Sequence, residues 1–262
     1  MNNIRIAAVI PARMNSSRFQ GKPLLEIHDL PMVEHVRRRS LSCDGFSRVV
    51  VATCDKEIRE TVESFGGEVI MTSAEHVSAS DRVSEAMESI DCTHVVNVQG
   101  DEVLILPEDL RLMIKAIKKE PEGNAWNAVG EVKSVSDLKD SSIVNCVVSK
   151  SNSIIFFSRN LSRFGYRSGG RFDPFYINLG VLGYSRRFLE DFLQMGVTPL
   201  EEIESVEQFR TLENDIPIRA VFFKSSYPGI NEPKDVKTVQ AILTTDDRQK
   251  QILDHILNFY IE

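Results

Sequence analysis

Short apolar runs alternate along this chain with longer stretches in which apolar positions recur three or four apart. Residues 4–10 are apolar except for Arg5 and lead into a segment rich in Ser, Asn and Gly. That pattern predicts a strand buried on both faces that feeds a loop. Residues 32–39 predict a helix, with Pro31 suited to its first turn. The β-branched run 48–53 predicts a second buried strand. In residues 56–65, Ile58, Val62 and Phe65 share one helical face, and Gly66 and Gly67 end that helix. A third strand is predicted at 68–71 and a helix at 82–90. A fourth strand at 94–98 runs into Gln99-Gly100-Asp101-Glu102.

From about residue 126 to 184 the pattern changes. Strand-like runs dominate at 128–132, 143–148, 154–157 and 178–184, and residues 166–173, rich in Gly, Arg and Ser, read as a loop. Helices are then predicted over 185–195 and 205–214, a late strand over 216–223, and closing helices over 232–243 and 247–259. Strands and helices at this spacing predict an open, mostly parallel α/β sheet. The expectation is one domain over residues 1–262 with a β-rich insertion at about 126–184. Ligands of such sheets bind beyond the C-terminal ends of the strands. The loop after the first strand and the Asp101 turn both lie at that edge.

Composition narrows the functional classes. The 262 residues are 42% apolar and 26% charged, enough for a globular chain with a sizeable core. A formal net charge of −7 argues against general nucleic-acid binding, which needs a broad basic face. It leaves room for a local basic pocket. Cys43, Cys54, Cys92 and Cys146 are far apart and form no CxxC pair. Neither a zinc site nor a disulfide framework is expected, and free thiols fit a reducing compartment. The start of the chain, MNNIRIAAVIPAR, lacks the regions of a secretory signal. No run approaches the ~20 apolar residues of a membrane span. A cytoplasmic protein with no membrane partner is expected.

Four segments carry candidate chemistry. PARMNSSRFQGKPL, residues 11–24, follows a strand. Backbone amides of such a loop can cradle phosphate. Arg13, Arg18 and Lys22 add positive charge, and Arg grips phosphate oxygens in pairs. The GxxxxGK[ST] pattern is absent, and read alone the same residues also make an ordinary charged surface loop. Asp101 ends a buried strand, where a carboxylate can hold Mg²⁺ on a triphosphate or simply cap a turn. In residues 76–82, Ser80 or Asp81 can cap the following helix. Residues 229–235, GINEPKD, read as another helix entry.

In this order and at these separations the segments resemble the CMP-Kdo synthetase family, the 3-deoxy-manno-octulosonate (Kdo) cytidylyltransferases, from Ile6 to about Ile242. VIPARMNSSRFQGKPL is close to the family's IPAR-x-x-S-x-R-x-P-GKPL. VVVAT (49–53), GGEVIMTSAEH (66–76), VNVQGDE (96–102), FFSRN (156–160), PLEEIESVEQFR (199–210) and GINEPKDV (229–236) follow in order. The resemblance implies a nucleotidyltransferase (Rossmann-like) fold and a homodimer packed through the β-rich insertion. It implies a reaction in which CTP and an acidic sugar give CMP-sugar and pyrophosphate for lipopolysaccharide synthesis, with Mg²⁺ or Mn²⁺ as cofactor. Arg13, Lys22 and Asp101 are then catalytic. Pro11, Ala12, Arg13, Ser17, Arg18, Lys22, Ser78, Ser80, Asp81, Arg82 and Gln99 bind the nucleotide. Gln99, Arg159, Asn178, Tyr184, Glu204, Glu207 and Gln208 bind the acceptor, and Asp101 and Asn231 hold the metal.

The chain also departs from the family pattern, mainly on the sugar and metal side. Ala79 and Ser80 stand where the family has Gly and Thr, and Val103 where it has Pro. Ile177-Asn178 replaces a lysine-histidine pair, and Asn231 replaces an aspartate. The expectation is a variant acceptor and metal binding that rests mainly on Asp101. The alternatives are an 8-amino-Kdo, sialic-acid-like or phosphonate acceptor, or a nucleotide-binding homologue with weakened turnover. His76 is the one histidine inside a motif.

Overall fold

The computed structural model describes residues 4–16, 19–76, 78–167 and 171–258. The first half of the chain contains β1 (Ile6–Ala12), a short hairpin of β2 (Glu26–Ile27) and β3 (Leu30–Pro31), α1 (Met32–Leu41), β4 (Arg48–Thr53), α2 (Lys56–Ser64), β5 (Val69–Met71), α3 (Ala79–Glu88) and β6 (His94–Val98). Strands β1, β4, β5 and β6 run parallel, as the alternating pattern predicts. Helices cover both of their faces, which is why the runs are nearly all apolar.

The second half adds α4 (Pro107–Lys119), β7 (Ala125–Glu131), α5 (Val135–Lys139), β8 (Asn145–Val148), β9 (Ile154–Ser158), α6 (Ser162–Arg167) and β10 (Phe175–Ser185). It closes with α7 (Arg186–Phe192), α8 (Pro199–Glu204), α9 (Gln208–Glu213), β11 (Ile218–Phe222), α10 (Asp235–Thr245) and α11 (Asp247–Leu257). The main sheet runs β11-β7-β10-β6-β1-β4-β5, and β10 is antiparallel to both β6 and β7. The strand-rich stretch is therefore divided. Both halves of β10 pair with β7; on its other side the second half pairs with β6, whereas the first half pairs with β8, and β8 with β9, as an arm.

Two apolar layers clamp the sheet. On one face Val9, Ala52, Val95 and Leu182 pack with Val83 and Met87 of α3, Phe188 and Phe192 of α7, and Phe209 of α9. On the other, Ile10, Val51, Val96 and Val181 pack with Val36 of α1, Ile58 and Val62 of α2, and Met113 and Ile117 of α4. A further cluster of Ile27, Leu30, Leu104, Ile230, Leu253 and Ile256 ties the hairpin and the C-terminal helices to the segment after Asp101.

The pattern reading assigns nothing to residues 103–125, yet α4 lies there. Its marks are ordinary ones: Pro107 in the first turn, Glu108 and Asp109 beside it, Lys118 and Lys119 in the last turn, and buried Leu110, Met113, Ile114 and Ile117 on one face. α3 starts at Ala79 rather than 82, because Ser78 and not Ser80 or Asp81 is its cap. The helix expected over 205–214 forms as α9 but starts only at Gln208, since Ser205 is left-handed at φ 52° and ends α8. α6 occupies the start of the expected 166–173 loop, whose residues 168–170 lie outside the described ones, as does residue 259.

Candidate active site

The loop after β1 turns back at Gly21, whose φ of 72° lies in the left-handed region that favours a residue without a β-carbon. Gly21 N donates to Met14 O at 2.9 Å, and Met14 N donates to Asp55 Oδ2 at 2.7 Å, so the loop is closed and pinned to the entry of α2. Lys22 follows at once. Its ammonium donates to Asp101 Oδ2 and to Ile230 O, both at 2.9 Å. Asp101 can come this near because Gly100 lets two strand ends touch: a β-carbon on Gly100 would sit 3.0 Å from Pro11 O.

A cavity of about 210 Å³ opens between these elements. The β1 loop contributes Pro11, Ala12, Arg13 and Lys22, and the end of β6 contributes Gln99 and Asp101. Ser78 and Arg82 face it from the start of α3. These eight residues, singled out in the sequence, are brought together from three separate segments. Ala79, Gly100 and Met32 also line the cavity.

The α3 wall is built rigidly. Ser78 Oγ accepts from Asp81 N and Asp81 Oδ2 accepts from Ser78 N, each at 3.1 Å, a reciprocal cap. Ser80 is fully buried behind the wall, donating to Glu207 Oε1 at 2.8 Å with Tyr184 OH 3.2 Å away. Burial pushes the Glu207 carboxyl above the usual carboxylate range, and it raises the Tyr184 hydroxyl as well. Arg82 lines the cavity, but its guanidinium donates to Thr72 Oγ1 and Ser73 O. Glu85 of α3 accepts from Ser73 N at 2.8 Å and pairs with His76. Burial raises the Glu85 carboxyl, but the Ser73 amide and His76 outweigh it and hold it below its ordinary value.

On the far side of Asp101, Ile230 N donates to Asp101 O at 3.2 Å. The segment 229–231 therefore lies across Asp101, and Asn231 N is fixed by Asp235 Oδ2 at 2.9 Å. Glu102 turns the other way. Its Oε1 accepts from Gly180 N at 2.8 Å, while Gln99 N donates to Gly180 O at 2.9 Å. Burial first, and then the charge of Asp101, raise the Glu102 carboxyl to about 7 against the opposing pull of Gly180 N–H and Lys22. Among the described residues no group of three or more His, Cys, Asp or Glu side chains converges as a metal cage. Asp101 is the carboxylate that faces the cavity, with Asn231 in the segment beside it.

A sequence profile of the cytidylyltransferase family matches residues 7–218. An 8-amino-3,8-dideoxy-manno-octulosonate cytidylyltransferase from Shewanella pealeana is 34% identical over 93% of this chain and 100% of its own. A 3-deoxy-manno-octulosonate cytidylyltransferase from Zea mays is 35% identical over 94% of this chain and 83% of its own. A solved CMP:2-keto-3-deoxy-manno-octonic acid synthetase complexed with CTP superposes with a TM-score of 0.86 at 31% identity, covering 92% of this chain and 99% of the other. The chain belongs to the cytidylyltransferase family. It is a nucleotidyltransferase in fold and in class.

The remaining residues named from the sequence take varied places in this cytidylyltransferase. Ser17 and Arg18 lie outside the described residues. Ser80, Asp81, Tyr184 and Glu207 do not line the cavity; they form the braced layer behind it. Arg159 N donates to Glu204 Oε2 at 3.2 Å and its Nε to Glu204 O at 2.9 Å, which ties the end of β9 to the α8–α9 junction. Asn178 and Gln208 meet through a third amide, Asn127 (Gln208 Nε2 to Asn127 Oδ1, 3.1 Å; Asn127 Nδ2 to Asn178 Oδ1, 2.7 Å). The sequence reading missed Asn127, Glu102 and Gly180. An isolated polar residue within the apolar run 125–132 was the available signal for Asn127.

Proposed function

We propose that this cytidylyltransferase transfers CMP from CTP to a hydroxyl of a Kdo-type sugar acid and releases pyrophosphate. The observation that carries the reading is the convergence of Arg13, Lys22 and Asp101 on one cavity whose other wall is the Ser78–Arg82 turn. The names borne by full-length relatives and by the CTP-bound neighbour support the choice of substrates. In this reading the acceptor hydroxyl attacks the α-phosphorus in line. Lys22 leaves Asp101 for the departing pyrophosphate, and Arg13 meets the same developing charge. Asp101, with the carbonyl oxygen of Asn231, offers the hard oxygen donors that Mg²⁺ takes, the phosphates supplying the rest. The cation would supply Lewis-acid neutralisation of phosphate charge. The small Pro11–Ala12 edge and the α3 turn read cytosine.

A second acceptor, the 8-amino acid, is favoured by one feature. Where a lysine-histidine pair would give positive charge, Ile177 packs into apolar clusters and Asn178 is neutral. A substrate ammonium meets less repulsion there. The reading also carries a homodimer joined through the β-rich arm, where Ile155 and Phe156 of β9 are exposed. It further carries work in the cytoplasm and supply of lipopolysaccharide synthesis. The test is incubation with CTP, Mg²⁺ and either acid, followed by mass spectrometry. A CMP-sugar is the expected product; no release of pyrophosphate from CTP with either acid overturns the reading.

A further inference from the structure

Asn127 sits on β7, fully buried, and touches neither the cavity nor any charged group in its hydrogen bonds. Its Nδ2 donates to Ala128 O at 2.7 Å and to Asn178 Oδ1 at 2.7 Å, and its Oδ1 accepts from Gln208 Nε2 at 3.1 Å. The order of atoms follows from chemistry. A backbone carbonyl only accepts, so the end of Asn127 on Ala128 O must be the NH₂. Both of its hydrogens are then used, and the Asn178 atom that meets it must be the oxygen. The other end of Asn127 is an oxygen, so Gln208 must meet it with nitrogen. The ends left over are the NH₂ of Asn178 and the carbonyl of Gln208. Neither is among the buried polar atoms that lack a partner.

The relay also joins two walls of the site. Gln208 follows Glu207, whose carboxylate holds the first turn of α3. Asn178 opens the irregular stretch of β10 between Asn178 and Leu182, where Gly180 is bonded to Gln99 and Glu102.

We infer that Asn127 is a positioning residue that fixes the polarity of the acceptor site, so that position 178 offers a donor and position 208 an acceptor. The inference rests on the sugar-acid reading above and on seating the acid against Asn178 and Gln208, neither of which lines the cavity itself. It defines the substrate as an acid that brings an oxygen acceptor to Asn178 and a hydroxyl or ammonium to Gln208. An acid without such a donor leaves the Gln208 carbonyl unpaired and is discriminated against.

The test is steady-state kinetics with the acid that the wild type uses best, with KM measured separately for acid and CTP. Asn127→Leu keeps the volume and removes the relay; the KM for the acid rises roughly 10–100-fold while that for CTP holds within about twofold. Asn178→Asp keeps the Asn127 bond but turns the free donor into an acceptor. This variant therefore shares the defect of Asn127→Leu in KM for the acid. Unchanged acid KM in Asn127→Leu, or equal rises in both KM values across the variants, overturns the inference. Should Asn127→Leu fail to fold, wild-type acid KM in Asn178→Asp does so. A wild type that uses no sugar acid removes the parent reading instead, and the inference falls with it.

Discussion

Lys22 stands between two partners, the carboxylate of Asp101 and the carbonyl of Ile230, at the mouth of a cavity suited to phosphate. Removing one such cationic donor from a developing anion lowers rates roughly 10²–10³-fold. Lys22→Ala is expected to lose kcat on that scale while keeping a cooperative thermal transition, as measured by pyrophosphate release and by melting. Asn231 brings a carbonyl oxygen but no charge to the segment that crosses Asp101. Asn231→Asp should lower the Mg²⁺ concentration for half-maximal rate; a titration that shifts upward counts against a metal role for this segment. Glu102 shows a different kind of coupling. Its carboxyl is raised from 4.5 to about 7 in the fold, so between those values the folded chain keeps a proton that the unfolded chain has lost. Stability therefore falls as pH rises across that window. Glu102→Gln retains an acceptor for Gly180 N and should flatten the slope, raising Tm at pH 8 and leaving it nearly unchanged at pH 4.

The α3 entry shows how one element presents a braced turn to the cavity. Ser78 and Asp81 cap each other, Glu207 braces Ser80 from behind, and Glu85 reaches back to Ser73 and His76. Glu85→Ala removes the bonds from the helix to Ser73 N and His76 and leaves those of Arg82 to Thr72 and Ser73, so the 72–76 segment is loosened. The KM for CTP should rise roughly 3–10-fold, the loss of about one hydrogen bond, with kcat within twofold. An unchanged KM for CTP would show that the turn does not read the base. The elements themselves were largely legible in the chain. Continuous apolar runs gave the parallel strands, and the loop motif and the Asp101 turn gave the cavity. What was hidden is physical in origin. The antiparallel insertion of β10 between β6 and β7 depends on pairing partners that no local period encodes. The cap of α3 went to Ser78 because only that residue can exchange bonds with Asp81 three positions on. Helix α4 was written in caps and spacing but stood between two strong motifs. The amide relay of Asn127 joins positions 127, 178 and 208, which are distant in the chain and adjacent only across the sheet.

At the scale of the whole molecule, the proposed function gives the nucleotide side to the parallel half and the acceptor side to the second half. The junction is the edge where β1 and β6 end, and the irregular stretch of β10 carries bonds across it to Gln99 and Glu102. The net charge of −7 coexists with this small basic pocket because Arg13 and Lys22 are gathered by the fold rather than by composition. The central claim is that the pocket holds CTP and delivers CMP to a sugar acid. Pyrophosphate release measured with each of the four ribonucleoside triphosphates, with and without the Kdo-type acid, tests it most directly. The account predicts release with CTP that requires both the acid and a divalent cation and stops in EDTA. Preference for UTP or ATP, or release undiminished without the acid, would contradict it.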